Sequence, residues 1–481
     1  MNRKLIFNLL GKIIQSCAAL LMLPLIVSLI YKEFKCTLSF AITIILSLAF
    51  GFLLTSLFKT TNKVIFAKEG FIIVSLAWIT LSLLGALPFT LSGEIKSYVD
   101  ALFETVSGFT TTGASILTNV EALSKSLLFW RSFTHWIGGM GVLVFVMAII
   151  PTSDRSIHIM RAEMPGPIVG KLVPKAKQTA KILYLIYIAL TILMALLLLA
   201  GGMNLFESIL HAFGTAGTGG FGIKGDSIAS YSPYIQWVIT IFMFIFGINF
   251  NLFFLILIGQ IRNALKSTEL WCYTAIVTVA TIVITINISS QFESLFDAIR
   301  ISSFNIVSVI TTTGYATADF NLWPELSKAI LFALMFIGGC AGSTAGGLKV
   351  SRIVIMFKMI KKELRHMLQP RSINSVKFEG KEIDRITQNS VHSYFTLFIL
   401  SYFAIFGIIS FDVFDFQTNF TAVAACLNNI GPGFGAVGPN GSFAGYSDIS
   451  KLTFSFAMLL GRLEIYPLIF ALSPTLWLKN K

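Results

Sequence analysis

Charge is scarce in this chain. Only 12% of its 481 residues are Asp, Glu, Lys or Arg, against a hydrophobic fraction of 55% and a mean hydropathy of +0.80. So few ionic residues cannot solubilise a set of water-exposed domains, and a polytopic all-α membrane protein is the class that remains. Cysteine is also rare. Cys17, Cys36, Cys272, Cys340 and Cys426 stand singly in apolar or small-residue contexts, so neither a disulfide nor a thiolate metal site is expected. Five histidines are scattered at 135, 158, 211, 366 and 392, without an HExxH pair. An intramembrane protease or acyltransferase needs a buried nucleophile with a base, or a metal, and no such set is evident. An enzyme is therefore not expected. No Gly-rich nucleotide fingerprint opens a helix after a strand, so no nucleotide domain is expected in this chain.

What the chain has in quantity is long apolar runs. They fall at about 13–30, 38–58, 70–92, 127–150, 182–202, 234–261, 271–289, 327–360, 391–411 and 453–477. Ten crossings of ~20 residues each put both termini on one side. The start, MNRKLIFNLL, has a basic end and an apolar run like a signal peptide, but Lys12 interrupts it and no small-residue cleavage site follows. A retained first helix is the expectation. If the termini are cytoplasmic, 26 of the 36 Lys and Arg lie on that side, as the positive-inside rule requires. The formal charge of +13 thus reads as membrane orientation rather than nucleic-acid binding. The opposite side carries 14 acids against nine bases, a mouth that favours cations.

One motif recurs four times between crossings that run outward and inward again: SGFTTTGAS at 107–115, AGTGGFG at 216–222, VITTTGYA at 309–316 and NNIGPGFG at 428–435. Aligned on Gly113, Gly219, Gly314 and Gly431, the copies lie 106, 95 and 117 residues apart. This spacing is too long for a solenoid repeat and suits two crossings with a half-buried hairpin between them. Each motif follows an apolar segment that reads as a short helix, at 100–109, 206–215, 296–310 and 420–427. Irregular backbone inside a membrane is tolerated only against protein or a water cavity, so four such segments have to meet around a shared axis. Carbonyls at the end of a short helix can replace a cation's hydration shell, and glycine permits the turn that points them inward. For a single copy, NNIGPGFG above all, an ordinary tight turn is the competing reading. The second and fourth copies depart from the threonine pattern, so the symmetry is expected to be only pseudo-fourfold.

Two further features lie deeper. Residues 327–362 read as one helix, but at ~1.5 Å per residue it would be ~54 Å long, against ~30 Å of hydrocarbon. The cluster Gly338, Gly339, Cys340, Ala341, Gly342, Ser343, Thr344, Ala345, Gly346 and Gly347 supplies an interruption, or alternatively a close helix-packing surface. Arg462 sits deep in the last apolar run, where a charge is costly and marks function by default. Pairing with Glu464 is the plain alternative, but residues two apart on a helix do not face each other. His135 and His211 titrate in the range that would suit proton coupling, although neutral packing groups are the simpler reading.

These features together resemble the TrkH/TrkG potassium-uptake subunits, in the superfamily shared with KtrB and plant HKT transporters. The resemblance spans nearly the whole chain and rests on the four motifs, on FWRSFTHWIGGMGVLVF (129–145) with Pro151, on GGCAGSTAGGLKVSR (338–352) and on GRLEIYPL (461–468). It implies a K+ filter lined by the carbonyls of Thr111, Thr112, Gly217, Thr218, Thr312, Thr313, Asn429 and Ile430. Glycine at all four filter positions implies K+ rather than Na+, with a Na+-translocating or symporting relative as the alternative. The resemblance further implies that 338–347 and Arg462 form a gate beneath the filter. It implies five parts: an N-terminal helix pair (1–68) and four pore modules at 69–170, 171–265, 266–385 and 386–481. A homodimer in the bacterial inner membrane is implied, with a TrkA-like ring of nucleotide-binding RCK domains on its cytoplasmic face. The basic segments 151–181 and 349–390 could serve that partner or anionic lipid equally. K+ is the only bound species implied, and no organic cofactor.

Overall fold

The fold was taken from a computed structural model, which describes residues 1–60, 65–141, 176–371 and 374–474. Six helices among them are long and apolar enough to cross a membrane: Arg3–Ile30, Phe34–Leu57, Lys68–Leu91, Ala180–Ala200, Thr268–Gln291 and Arg385–Ile409. They turn apolar side chains outward, as Ile45, Ile286 and Leu400 show at 65%, 70% and 62% exposure. Such faces fit lipid, where side chains need not be hidden from water. The first two cross closely, because a Cβ at Gly11 would meet the Gly51 carbonyl oxygen at 2.7 Å. Small residues of this kind let backbones approach where no hydrophobic force drives helices together.

After this pair the chain repeats one pattern four times: a long helix, a short buried helix, and a second helix, which in the second, third and fourth modules is broken. The short helices are Tyr98–Phe109, Leu205–Ala216, Leu295–Ile310 and Phe416–Leu427. Each begins at a polar cap, Ser97, Asn204, Ser294 or Asp415, whose side chain accepts from a backbone N–H in the first turn. Such a cap satisfies one of the orphan donors that a helix start leaves, and stabilises by about 1 kcal/mol. The last two turns of the first short helix, Phe103 to Phe109, are buried throughout.

The second helices correct the expectation of mostly unbroken crossings. In the second module, Pro233–Phe246 and Phe250–Leu257 meet at 91°. Gly247 ends the first piece, and the Asn249 side chain caps the next by accepting from Asn251 N at 2.9 Å. In the third module helices Glu325–Met335 and Val350–Leu368 flank an irregular stretch at 336–349. In the fourth, Asp448–Arg462 stops and Tyr466–Leu472 restarts, with Glu464 and Ile465 both at positive φ. Pro467 accounts for the stop, since its ring excludes a continuous helix through the preceding turn. In the first module Lys125–Gly139 ends before Gly141 at φ +82. The rest of the 127–150 run, and the basic segment 151–181 up to residue 175, lie outside the described residues.

Second helices also set the order of the modules. Each packs against the short helix of the next module, and that of the fourth against the short helix of the first. The ring closes with an ion pair between Lys451 Nζ and Asp100 Oδ1 at 2.6 Å. On the side of the basic segments, a two-residue hairpin pairs Lys377 with Glu382 and Phe378 with Lys381. It packs Phe378 beneath the helix Val350–Leu368, with Val376, Ile383 and Val391.

A candidate ion pathway

The four motifs share one backbone turn. The N–H three residues after the start of each exit donates back into its short helix: Thr112 to Ser107, Gly219 to Gly214, Thr313 to Ser308 and Ile430 to Ala425, at 2.8–2.9 Å. The residue before each of these has a positive φ of 54 to 57°, at Thr111, Thr218, Thr312 and Asn429. The residue after each is a glycine with positive φ: Gly113, Gly220, Gly314 and Gly431.

This register corrects the second copy by one residue. Gly220, not Gly219, is equivalent to Gly113, Gly314 and Gly431, and Gly219 stands where the other copies carry Thr112, Thr313 and Ile430. Gly217 is then the counterpart of Thr110, one position before the pair that precedes the glycine in the other copies. AGTGGFG contains adjacent glycines, and only the turn tells them apart.

The same glycines form a closed ring. A Cβ built on Gly113 would fall on the carbonyl oxygen of Gly219, one on Gly220 on that of Thr313, and one on Gly314 on that of Ile430. A Cβ on Gly431 would meet the Thr112 oxygen at 2.7 Å. Each module's glycine therefore lies against the preceding residue's carbonyl in the next module, in the order one, two, three, four, one. Three threonines in the positive-φ position, a conformation unusual for a β-branched residue, show that the ring over-determines this backbone. Its cost is offset by the close-packed shell behind it.

That shell differs from copy to copy. Thr110 and Thr112 hydroxyls lie 2.8 Å apart, and so do those of Thr311 and Thr313. In the fourth copy Asn429 donates from Nδ2 to Thr112 Oγ1 at 3.0 Å and to the Met458 carbonyl at 2.9 Å. Asparagine suits this place twice over, since it tolerates the left-handed conformation and bridges two modules. His135 lies behind the second copy, fully buried and stacked on Phe221 at 4.1 Å. His211 is buried in the second short helix, with Nδ1 2.8 Å from the Glu207 carbonyl.

At the end where the chains leave the ring, a cavity of about 200 Å³ is lined by Gly113, Gly220, Gly314, Gly431 and the residues that follow them. Arg131 borders it but is fully engaged with protein. Its Nε donates to Glu104 at 2.5 Å, its Nη1 to the Gly222 carbonyl at 2.8 Å, and its guanidinium lies 3.5 Å from the Phe221 ring centre. Glu104 also accepts from Ser115 Oγ and Ile116 N. This buried pair joins the segments leaving the first two glycines, and Glu104 is one of the 14 acids counted on the outer side.

The irregular stretch of the third module occupies the opposite end. Gly346 N donates to Thr312 Oγ1 at 2.7 Å, and a Cβ on Gly346 would meet the Asn428 oxygen at 2.7 Å. The stretch is tied to the breaks of the other modules. Cys340 N donates to Gly247 O and Phe250 N to Gly342 O, while Thr344 Oγ1 donates to Phe246 O. Arg462 donates from Nη1 to Thr344 O at 2.9 Å, and from Nη2 to Gly138 O at 2.5 Å and Gly139 O at 2.8 Å. Gly339 accepts from Val350 N, and Lys349 Nζ donates to Ala345 O. Glu269 Oε1 accepts from Ala341 N at 2.7 Å and Ser351 N at 3.1 Å, so one carboxylate holds both sides of the stretch. Ser343 Oγ donates to Cys340 O, and Gly347 takes a positive φ of 65°. Glu464 is paired with Arg352 at 2.6 Å, not with Arg462. Sequence spacing excluded the Arg462 pairing but could not find Arg352, which lies over a hundred residues away.

The chain has clear relatives. A family model described as TrkH, cation transport protein, matches residues 37–268 and 252–477. The Trk system potassium uptake protein TrkH of Salmonella typhimurium is 35% identical over 485 residues, which cover 99% of this chain and 100% of that protein. The Trk system potassium uptake protein TrkG of Escherichia coli K12 is 35% identical over 462 residues, 94% of each chain. The crystal structure of the potassium transporter TrkH from Vibrio parahaemolyticus superposes with a TM-score of 0.89 at 31% identity, covering 99% of this chain and 100% of that one.

Proposed function

Because the chain belongs to the TrkH family of cation transport proteins, we propose that it takes up K+ across the bacterial inner membrane through the axis of its four modules. The observation that carries this reading is the closed ring in which each glycine abuts the carbonyl of the next copy. K+ sheds its water against the carbonyl oxygens of Thr111, Thr112, Thr218, Gly219, Thr312, Thr313, Asn429 and Ile430. Dipoles suit this task because they bind a monovalent cation firmly enough to dehydrate it and weakly enough to release it. The C-terminal ends of the four short helices add negative partial charge toward the same axis.

The stretch Gly338–Gly347 is the gate. Its bonds to the breaks of the second module, to Thr312 and to Arg462 fit a plug held across the path rather than a passive packing surface. Arg462 adds a positive charge that opposes a cation at that level. Movement of the stretch is controlled from the side of the termini, taken as cytoplasmic. A ring of nucleotide-binding RCK domains docks there on a homodimer of this chain, and exposed Lys361 and Arg365 on the helix Val350–Leu368 offer it basic contacts.

The test is growth. Expression in bacteria that lack K+ uptake should restore growth at low K+, and the purified protein in liposomes should carry rubidium in preference to Na+. Failure to rescue with normal amounts in the membrane, or a pathway that conducts Na+ as well as rubidium, would overturn the assignment.

A further inference from the structure

We infer that His135 is a positioning residue for the second copy of the ring, its imidazole doing there what a pair of threonine side chains does in the first and third. The inference rests on reading the ring as the ion filter. In copies one and three the residues one and three places before the glycine are threonines whose hydroxyls meet at 2.8 Å. The corrected register puts Gly217 and Gly219 at these two places in the second copy. Neither needs glycine for its φ, since Gly217 is right-handed at −70° and Gly219 is not among the positive-φ residues.

The reason for glycine is the space behind them. A Cβ on Gly219 would fall on Cγ, Nδ1 and Cε1 of the His135 ring, and one on Gly217 would fall on the His135 backbone carbonyl. The ring fills the volume that side chains fill in the other copies. It is held chiefly by shape: it has no exposure and stacks on Phe221 with planes 20° apart, with the Ser107 backbone beside its ring. Phe221 lies just after the second glycine and carries the Arg131 guanidinium 3.5 Å from its centre. The backing of the second copy is thus a stack of Arg131, Phe221 and His135 anchored to Glu104. This accounts for the departure of AGTGGFG from the threonine pattern. It also gives His135 a steric task that involves no proton.

The two glycines separate the idea from general packing, because one meets the His135 side chain and the other its backbone. Rubidium flux and its competition by Na+ would be measured on purified protein in liposomes, with the amount of folded protein in each variant. His135→Ala should leave rubidium flux measurable and lower the discrimination against Na+ about tenfold, as a cavity beside the turn lets it relax. Gly219→Ala should lower selective flux by about tenfold through overpacking. The double variant His135→Ala with Gly219→Ala should regain most of that loss, whereas His135→Ala should not rescue Gly217→Ala. If Gly219→Ala instead fails to fold, its recovery as folded protein in the double variant is the same test. Unchanged discrimination in His135→Ala, no recovery in the Gly219 double variant, or equal recovery of Gly217→Ala would each overturn the inference. A wild-type protein that shows no K+ selectivity would instead sink the filter reading itself.

Discussion

Arg462→Ala isolates what holds the intramembrane stretch in place. The guanidinium donates three hydrogen bonds to carbonyls of two other modules, Thr344 O, Gly138 O and Gly139 O. A hydrogen bond from a charged group contributes about 1.5–3 kcal/mol net. Arg462 is partly exposed, and water can replace some of this in the open state, so a loss of about 2–4 kcal/mol is a fair figure for all three. That shifts the balance between blocked and open forms by roughly 30- to 1,000-fold. The direct repulsion between the guanidinium and a passing cation is of similar size, about 2 kcal/mol at ~8 Å with an effective dielectric of ~20. Arg462→Ala removes both, so rubidium flux into liposomes should rise by at least about tenfold. Arg462→Lys separates them, because lysine keeps the charge but cannot fork to carbonyls of two modules. A leak in the lysine variant close to that of alanine assigns the block to the hydrogen bonds, and a tight lysine variant assigns it to charge. Flux in Arg462→Ala that is unchanged or lower, at normal membrane level, would refute the barrier.

Three other substitutions probe separate parts. Gly113→Ser places a Cβ on the Gly219 carbonyl, so the ring must open, and the rubidium to Na+ flux ratio should fall; an unchanged ratio would move Gly113 away from the narrowest point. Arg131→Ala leaves Glu104 buried without its partner, a loss of about 3–5 kcal/mol by analogy with other broken buried pairs, read as a lowered melting temperature in detergent. The variant that changes both, Arg131→Met with Glu104→Gln, should recover much of that stability, and a double variant as unstable as the single one would contradict the pairing. Glu269→Ala frees Ala341 N and Ser351 N on the two sides of the stretch, and should raise rubidium flux without changing the selectivity ratio. A changed ratio with no change in flux would place Glu269 in the filter's support instead.

The helical fold was legible because a membrane makes sequence patterns blunt. Long apolar runs announced the six continuous helices, and the glycine cluster after Met335 announced the interruption where the helix ends and resumes at Val350. The other breaks were hidden. Ile248 and Asn249 look unremarkable within an apolar run, and the 91° bend there depends on a cap formed only after the helix has broken. Pro467 marks the stop in the fourth module, but it lies inside the apolar run 453–477, which reads as a single crossing. The register of the second copy failed for a different reason. Gly219 and Gly220 are chemically identical, and the choice between them is made by the carbonyl of Thr313 and the ring of His135, neither of which is near them in sequence. Long-range pairs such as Arg352 with Glu464 were out of reach for the same reason.

The inequality of the four copies bears on how a single path could carry both selection and control. At the ring, differences are confined to the shell: threonine pairs in two copies, His135 in one, Asn429 in one, while the backbone turn and the neighbouring-carbonyl contact repeat in all four. A cation facing carbonyl oxygens meets nearly the same field from each side. At the next level the symmetry is abandoned. Among the described residues the third module alone supplies an irregular stretch at the end of the ring opposite the cavity, and the others contribute what holds it: Gly138 and Gly139 through Arg462, Gly247 and Phe246 directly, and Arg462 itself. Four equal plugs would each have to move at once, at a cost that adds up. One plug held by a few named bonds can be released by changing those bonds alone, leaving the ring's geometry intact. If the ring selects and the stretch gates, as proposed above, the two are separable by mutation: changes at Arg462 or Glu269 should alter how much passes, and changes at Gly113 or His135 should alter what passes.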